Sequence, residues 1–178
     1  MRHDWNVLVT SRSGHQRALT RAFQDLGDFE VSASRDVMVG VVRDRYMFLD
    51  TVASRLARGQ RLPACLGRLL PVDRTITLPP GAPDQALGNL VAELAPQIGA
   101  RSYHVRLDVH GHRELHGRRL ELVLADRAWD ALAGAGHHPV VCFEDPDVVL
   151  QVEVVGDTAG AALLDRRMRE TYPFLLVR

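Results

Sequence analysis

The stretch PVVCFEDPDVVLQVEVVGDTAGAALL, residues 139 to 164, decides the predicted fold of the chain. β-Branched and aromatic residues at 140–143 and 148–155 predict two strands, and the Glu-Asp-Pro-Asp sequence between them is typical of a turn. The Gly-Asp pair at 156–157 is typical of a hairpin turn into another apolar run at 159–164. We therefore expect strand, turn and strand here, followed by one more strand.

The strand at 148–155 is expected to have one buried and one partly exposed face. Gln151 and Glu153 are mixed with valines in it, as in a strand that contacts the core on one side only. A hydrophobic hairpin is not stable alone, so it requires partner strands and covering helices from elsewhere in the chain.

Residues 1 to 78 predict a βαββαβ unit, which is the ferredoxin-like arrangement. Short β-branched runs alternate there with apolar residues at helical spacing. The predicted strands cover 6–10, 29–33, 37–42 and 68–72 with 75–78, and the predicted helices run from the turn at 11–15 to residue 26 and over 46–56.

Residues 79 to 178 predict a second unit of order αβαββ, which gives an α+β protein of two domains, 1–78 and 79–178. Three prolines and a glycine within 79–84 indicate a linker, and Asp84 is expected to cap the next helix. The tail predicts a helical turn and a short strand from Phe174. The other predicted elements are helices at 85–98 and 120–132 and a strand at 103–109.

The basic side chains are distributed unevenly along the chain. All 22 are arginine, balanced by 22 acidic residues. Residues 1–74 contain 12 arginines and 8 acids, residues 75–119 contain 5 and 4, and residues 120–178 contain 5 and 10. Arginine stacks on bases and forms paired hydrogen bonds with phosphate. An anionic partner is therefore expected to contact the first two-thirds of the chain.

The chain has the features of a cytoplasmic protein without a membrane partner. No apolar run approaches the roughly 18 residues of a membrane-spanning helix, and the N-terminus lacks the pattern of a signal peptide. Cys65 and Cys142 lie far apart in different kinds of segment, so reduced thiols are expected.

No motif in the sequence indicates catalysis or a bound cofactor. Residues 11–15 lie where a strand leads into a helix but lack the Gly-Lys-Ser/Thr of a Walker loop, and no G-x-G-x-x-G follows a strand. Asp145 and Asp147 are explained by the turn that contains them. We therefore expect a protein that is not an enzyme and has no cofactor.

Three histidines, His110, His112 and His116, raise the alternative of a small metal-dependent enzyme, because imidazole is a common zinc ligand. No carboxylate or cysteine occurs nearby at a familiar metal-binding spacing. The sequence favours a solvated loop whose His, Arg and backbone groups contact phosphate, with no metal.

The densest basic cluster lies around the strand at 103–109. Alternation places His104 and Arg106 on one face and Tyr103 on the other, so Tyr103 is expected in the core and not as a stacking surface for bases. The cluster contains Arg101, His104, Arg106, Arg113, Arg118 and Arg119.

Several of these segments together resemble the THUMP domain. They are Arg68 to Val72, Ser102 to Arg106, and the Asp145 to Asp147 turn leading to Val152 to Gly156. Residues 1 to about 78 resemble the ferredoxin-like domain that commonly precedes it. The chain is most similar to the free-standing type of THUMP protein, which binds tRNA for a separate cytidine acetyltransferase.

The resemblance implies a noncatalytic protein that binds tRNA near its acceptor end and presents it to a separate tRNA-modifying enzyme. A protein–protein scaffold without an RNA surface stays open as another alternative, because Val109 and His110 stand where the family favours a basic pair. The candidate RNA-binding residues are Arg68, Arg74, Arg101, His104, Arg106, His110, His112, Arg113, Arg118 and Arg119.

Overall fold

The first four strands form one antiparallel sheet. The computed structural model describes residues 3–12, 14–59, 62–112, 115 and 117–175. The sheet has the order β2-β3-β1-β4, and each neighbouring pair is antiparallel. Its strands are β1 (Val7–Ser11), β2 (Asp28–Val31), β3 (Val37–Val41) and β4 (Leu66–Pro71), and the helices in this part are α1 (Gln16–Phe23), α2 (Arg45–Ala57) and α3 (Leu62–Cys65).

Local sequence explains where α2 begins and what it covers. The Asp44 carboxylate accepts hydrogen bonds from the backbone N–H groups of Tyr46 and Met47, which is a helix N-cap. The buried Phe48 of α2 then packs on Phe23 of α1, with ring centroids 5.7 Å apart. This aromatic contact holds both helices on the same hydrophobic core.

The second sheet has five strands in the order β5-β9-β8-β6-β7. β6 is parallel to β7 and β8, whereas β9 is antiparallel to β5 and β8. The strands are β5 (Arg74–Thr77), β6 (Ser102–His110), β7 (Val140–Val141), β8 (Val148–Val155) and β9 (Thr158–Asp165). The helices are α4 (Pro83–Leu94), α5 (Gly117–Gly134) and α6 (Arg166–Thr171), with 3₁₀ turns at Ala95–Ile98 and Pro173–Leu175.

Both faces of the second sheet are covered. Leu150 and Val152 of β8 share a core with α4 and α5, whereas Val149 and Val155 share a core with the first sheet. β8 is therefore buried along its whole length, and the expectation of a partly exposed face is wrong. The first sheet covers the side on which an exposed face was expected.

Trp5 lies at the contact between the two sheets. Its side chain is fully buried, and Nε1 donates a hydrogen bond to the Thr158 hydroxyl at 3.2 Å. The ring lies over Gly160, where an added Cβ atom would come within 2.5 Å of it. Glycine at this position therefore lets the indole pack directly on β9.

The predicted pairing around residues 144–147 is wrong. β7 pairs with β6 and not with β8, and it contains only two residues. The Asp147 carboxylate accepts hydrogen bonds from the Ser102 backbone N–H (3.0 Å) and hydroxyl (2.7 Å). These bonds tie the turn to the start of β6, beside which β8 then runs parallel. The hairpin between β8 and β9 is confirmed, with Gly156 at a φ of 59°.

The sequence predicted that residues 75–78 continue the last strand of the first sheet, and this prediction is wrong. β4 ends at Pro71, and the Asp73 carboxylate then accepts a hydrogen bond from the Leu163 backbone N–H at 2.8 Å. The following residues pair with β9 as β5. The division of the chain at residue 78 stays a prediction.

Two predicted details of element ends are wrong. α4 begins at Pro83 after Ala82 as N-cap, so Asp84 lies in the first turn of the helix. Phe174 lies in a 3₁₀ turn and not in a strand, and residues 176–178 fall outside the described part of the chain.

Both cysteines are free thiols. Across the described ranges, no helix is long and apolar enough to cross a bilayer.

Candidate nucleic-acid interface

A groove of about 690 Å³ runs along β6 beside the start of α5, and we call it the β6 groove. It exists because β7 pairs only with Ser102 and Tyr103, which leaves the rest of β6 at the edge of the sheet. Its lining includes His104, Arg106, Leu107, Gly117, Arg118, Glu121, Leu122 and Phe143.

Two arginines that line the β6 groove, Arg106 and Arg118, and the adjacent Arg119 are available to an anion. Arg106 is on β6, and Arg118 and Arg119 are exposed in the first turn of α5. Within the part of the chain that the structure describes, no acidic side chain forms an ion pair with any of them. Guanidinium groups without an internal partner can form charge-assisted hydrogen bonds with phosphate.

Phe143 supplies an exposed aromatic surface in the same groove. Its side chain is 71% exposed and contacts the His104 ring edge-on, with centroids 4.9 Å apart. The sequence placed Phe143 in a strand, but β7 ends at Val141. The turn sequence that directly follows Phe143 is the signal that could have indicated its exposure. The prediction that Tyr103 lies in the core is confirmed, at 1% exposed.

His104 lines the β6 groove and its ring contacts Phe143. The His104 side chain is buried, and burial lowers its pKa below the usual 6.5. The positive charge of Arg106 lowers this pKa further, whereas the negative charge of Glu121 raises it. The lowered pKa favours the neutral imidazole at pH 7, and a neutral ring gives no charge attraction to phosphate.

A second cavity of about 420 Å³, which we call the crevice, lies between the two sheets. Arg106, Leu107 and Glu121 line both the crevice and the β6 groove, so the two are adjacent. The other residues that line the crevice are Thr10, Arg68, Asp108, His110 and Gln151.

An ion cluster, which we call the Arg68 cluster, surrounds the buried Glu153, and its members Arg68, Asp108, His110 and Gln151 line the crevice. Arg68 of β4 contacts the Asp108 carboxylate of β6 at 2.9 Å and the Glu153 carboxylate of β8. Gln151 donates hydrogen bonds to Asp108 (3.0 Å) and Glu153 (2.9 Å), and His110 Nε2 lies 2.9 Å from Glu153. The cluster ties the first sheet to β6 and β8.

The structure separates the predicted RNA-binding residues into several places. Arg68 and His110 belong to the Arg68 cluster. Arg74 lies on β5, at the edge of the second sheet opposite to β7, and its Nε atom is 3.4 Å from a carboxylate oxygen of Glu93. Arg101 donates hydrogen bonds to the carbonyl groups of Ile98 and Gln97. His112 is half-buried just after β6, and Arg113 lies outside the described residues. Of the predicted residues with a described position, only His104, Arg106 and Arg118 line the β6 groove, and Arg119 follows Arg118 on α5.

The described residues do not support the hypothesis of a metal site at His110, His112 and His116. His110 contacts Glu153, and His116 lies outside the described residues. Among the residues with a described position, no three His, Cys, Asp or Glu side chains lie close enough together to hold a metal ion.

Replacing Glu153 with glutamine is expected to change how stability depends on pH. Burial raises the pKa of Glu153 above 4.5, more than His110 and Arg68 lower it. The folded state therefore holds this proton at pH values where the unfolded state has lost it. The free energy of unfolding of the unmodified chain should fall relative to Glu153→Gln as pH rises from about 4.5 through the folded pKa.

Urea denaturation between pH 3 and pH 8 measures this difference. Asp147→Asn serves as a control of opposite sign, since the Ser102 hydrogen bonds lower the pKa of Asp147 below 3.8. The stability that Asp147 contributes should be lost as pH falls through its folded pKa. A Glu153→Gln difference that does not vary with pH would contradict the raised pKa.

Comparisons with known proteins show the fold. No known family profile and no curated protein matches the sequence. TrmN from Thermus thermophilus superimposes with a TM-score of 0.61 at 18% identity, covering 88% of this chain and 44% of that one. A 4-thiouridine synthetase solved with RNA and ATP gives 0.55 at 13% identity, covering 90% and 41%.

A third solved structure is SMU.472, a putative methyltransferase complexed with SAH, with a TM-score of 0.53 at 13% identity, covering 92% of this chain and 42% of that one. The chain therefore spans less than half the length of each of these three proteins. The neighbours include THUMP-domain proteins, and the likeness supports a THUMP-like α+β fold for this chain.

Proposed function

We propose that this chain is a noncatalytic RNA-binding protein that holds tRNA near its acceptor end and presents it to a separate tRNA-modifying enzyme. One observation carries the proposal: Arg106 and Arg118 line the same groove as the exposed ring of Phe143, and Arg119 follows Arg118 on α5. Among the described residues, no acidic side chain forms an ion pair with any of the three arginines. The similarity of this chain's fold to a 4-thiouridine synthetase solved with RNA supports RNA as the proposed ligand.

The chemistry of the β6 groove suits a single strand. Guanidinium groups bind the phosphates, and the exposed part of the Phe143 ring offers a surface on which a base can stack. Bases in a duplex are stacked on each other and do not offer a free face, whereas an unpaired end does. The unpaired 3′ nucleotides of the tRNA acceptor end meet this requirement.

The proposal of a separate enzyme rests on the THUMP resemblance and on a sequence in which no nucleotide-binding glycine motif follows a strand. The N-terminal part is proposed to be a ferredoxin-like domain, and the antiparallel order β2-β3-β1-β4 supports that proposal. The remainder is proposed to be the THUMP domain, with β5 joined to its sheet.

Replacing Arg118 and Arg119 together with glutamate is expected to weaken tRNA binding by about tenfold or more near physiological salt. Loss of two phosphate contacts should also reduce the slope of log affinity against log salt by about 1.4 for a single strand. Fluorescence anisotropy with labelled tRNA over a salt series measures both. Removing the 3′ single-stranded end of the tRNA should weaken binding to the unmodified chain in the same assay.

The matched control replaces Arg17 and Arg21 with glutamate. Both arginines are exposed on α1, and neither lines the β6 groove. This variant has the same net charge as the first, so it separates a local contact from a general electrostatic effect. Equal loss of affinity in both variants would contradict the site, and no tRNA binding by the unmodified chain at low salt would contradict the proposed function.

A further inference from the structure

Among the described residues that line the β6 groove, Glu121 is the acidic side chain, and it lies there with Arg106 and Arg118. It lies one helical turn after Arg118 on α5, and one carboxylate oxygen, Oε2, accepts the backbone N–H of Leu107 at 2.9 Å. The main chain at the edge of β6 therefore holds the carboxylate in one position. Arg106 and Arg118 line the groove with it.

The second carboxylate oxygen is available to a ligand. Among the residues that the structure describes, none donates a hydrogen bond to Oε1 of Glu121, and the residue lines both the β6 groove and the crevice. Its negative charge also acts on His104, which packs against Phe143. A carboxylate here repels phosphate, so its favourable partner is a group that carries N–H donors.

We propose that Glu121 selects the RNA base in the β6 groove by accepting a hydrogen bond from the exocyclic amino group of that base. The inference rests on the proposed function, since it requires RNA in the groove. Cytosine presents an N4 amino group and adenine an N6 amino group, whereas uracil presents the O4 carbonyl in the same place. Two acceptors facing each other repel, so the groove discriminates against uracil.

The test compares two labelled oligoribonucleotides, hexacytidylate and hexauridylate, because both bases are pyrimidines and differ at this position. The unmodified chain should bind the cytidine hexamer about tenfold more tightly, the discrimination typical of one well-placed base contact. Glu121→Gln retains an oxygen for the Leu107 N–H and presents an amide N–H₂ group to the ligand. The affinity ratio of this variant should fall to about one or reverse.

Glu93→Gln is the matched control, because Glu93 is exposed on α4 beside Arg74, away from the groove. Its affinity ratio should equal that of the unmodified chain. If the unmodified chain binds both hexamers equally, the inference on Glu121 is overturned while RNA binding stands. An unchanged ratio in Glu121→Gln overturns it as well. If neither hexamer nor tRNA binds at low salt, the proposed function itself fails.

Discussion

Replacing Arg68 with methionine is expected to lower the free energy of unfolding by about 3 to 5 kcal/mol, which corresponds to a fall in melting temperature on the order of 10 °C. The side chain of Glu153 is 0% exposed, and Arg68 is the guanidinium that faces it. Methionine fills much of the same volume but leaves the carboxylate buried without its cation. The cost arises because Glu153 must then either keep a buried charge without Arg68 or take up a proton at pH 7.

Urea denaturation at pH 7 measures the loss, and Arg74→Met provides the matched control. Arg74 and Glu93 form an ion pair whose side chains are 56% and 55% exposed, so this control should cost less than about 1 kcal/mol. Adding Glu153→Gln to Arg68→Met should recover part of the stability, because the unpaired charge is then absent. Similar losses in Arg68→Met and Arg74→Met would contradict the assigned role of the Arg68 cluster.

Replacing Phe143 with alanine is expected to weaken binding of single-stranded RNA by about 1 to 3 kcal/mol, or roughly five- to 150-fold. The ring is largely exposed, so its removal takes away a stacking surface without opening a cavity in the core. The free energy of unfolding should change by less than about 0.5 kcal/mol. Anisotropy with a labelled oligoribonucleotide gives the affinity, and urea denaturation gives the stability.

Tyr46→Ala is the control for the Phe143 prediction. Tyr46 is 57% exposed on α2 and does not line the β6 groove, so its removal should leave RNA binding unchanged. Phe143→Trp should retain or strengthen binding, because tryptophan offers a larger face for stacking. Unchanged affinity in Phe143→Ala would show that the aromatic surface does not contact bases.

The candidate site could be predicted in part from the sequence. The basic residues around β6 and the start of α5 are close in sequence, so Arg106, Arg118 and Arg119 were identified together. The sequence does not indicate Phe143 or Glu121, because the first falls in a predicted strand and the second in a predicted helix. Arg68 was assigned to RNA, but it contacts carboxylates that lie 40 and 85 residues further along the chain.

The sequence by itself determined the features that depend on neighbouring residues. The α2 helix, the β8–β9 hairpin and the inward position of Tyr103 follow from spacing and turn chemistry. Only the tertiary structure decided that β5 pairs in the second sheet and that the first sheet covers the second face of β8. It also decided that Arg68 is the cation beside Glu153. Alternation along a strand separates two faces but does not say what covers each, because the covering side chains come from distant parts of the chain.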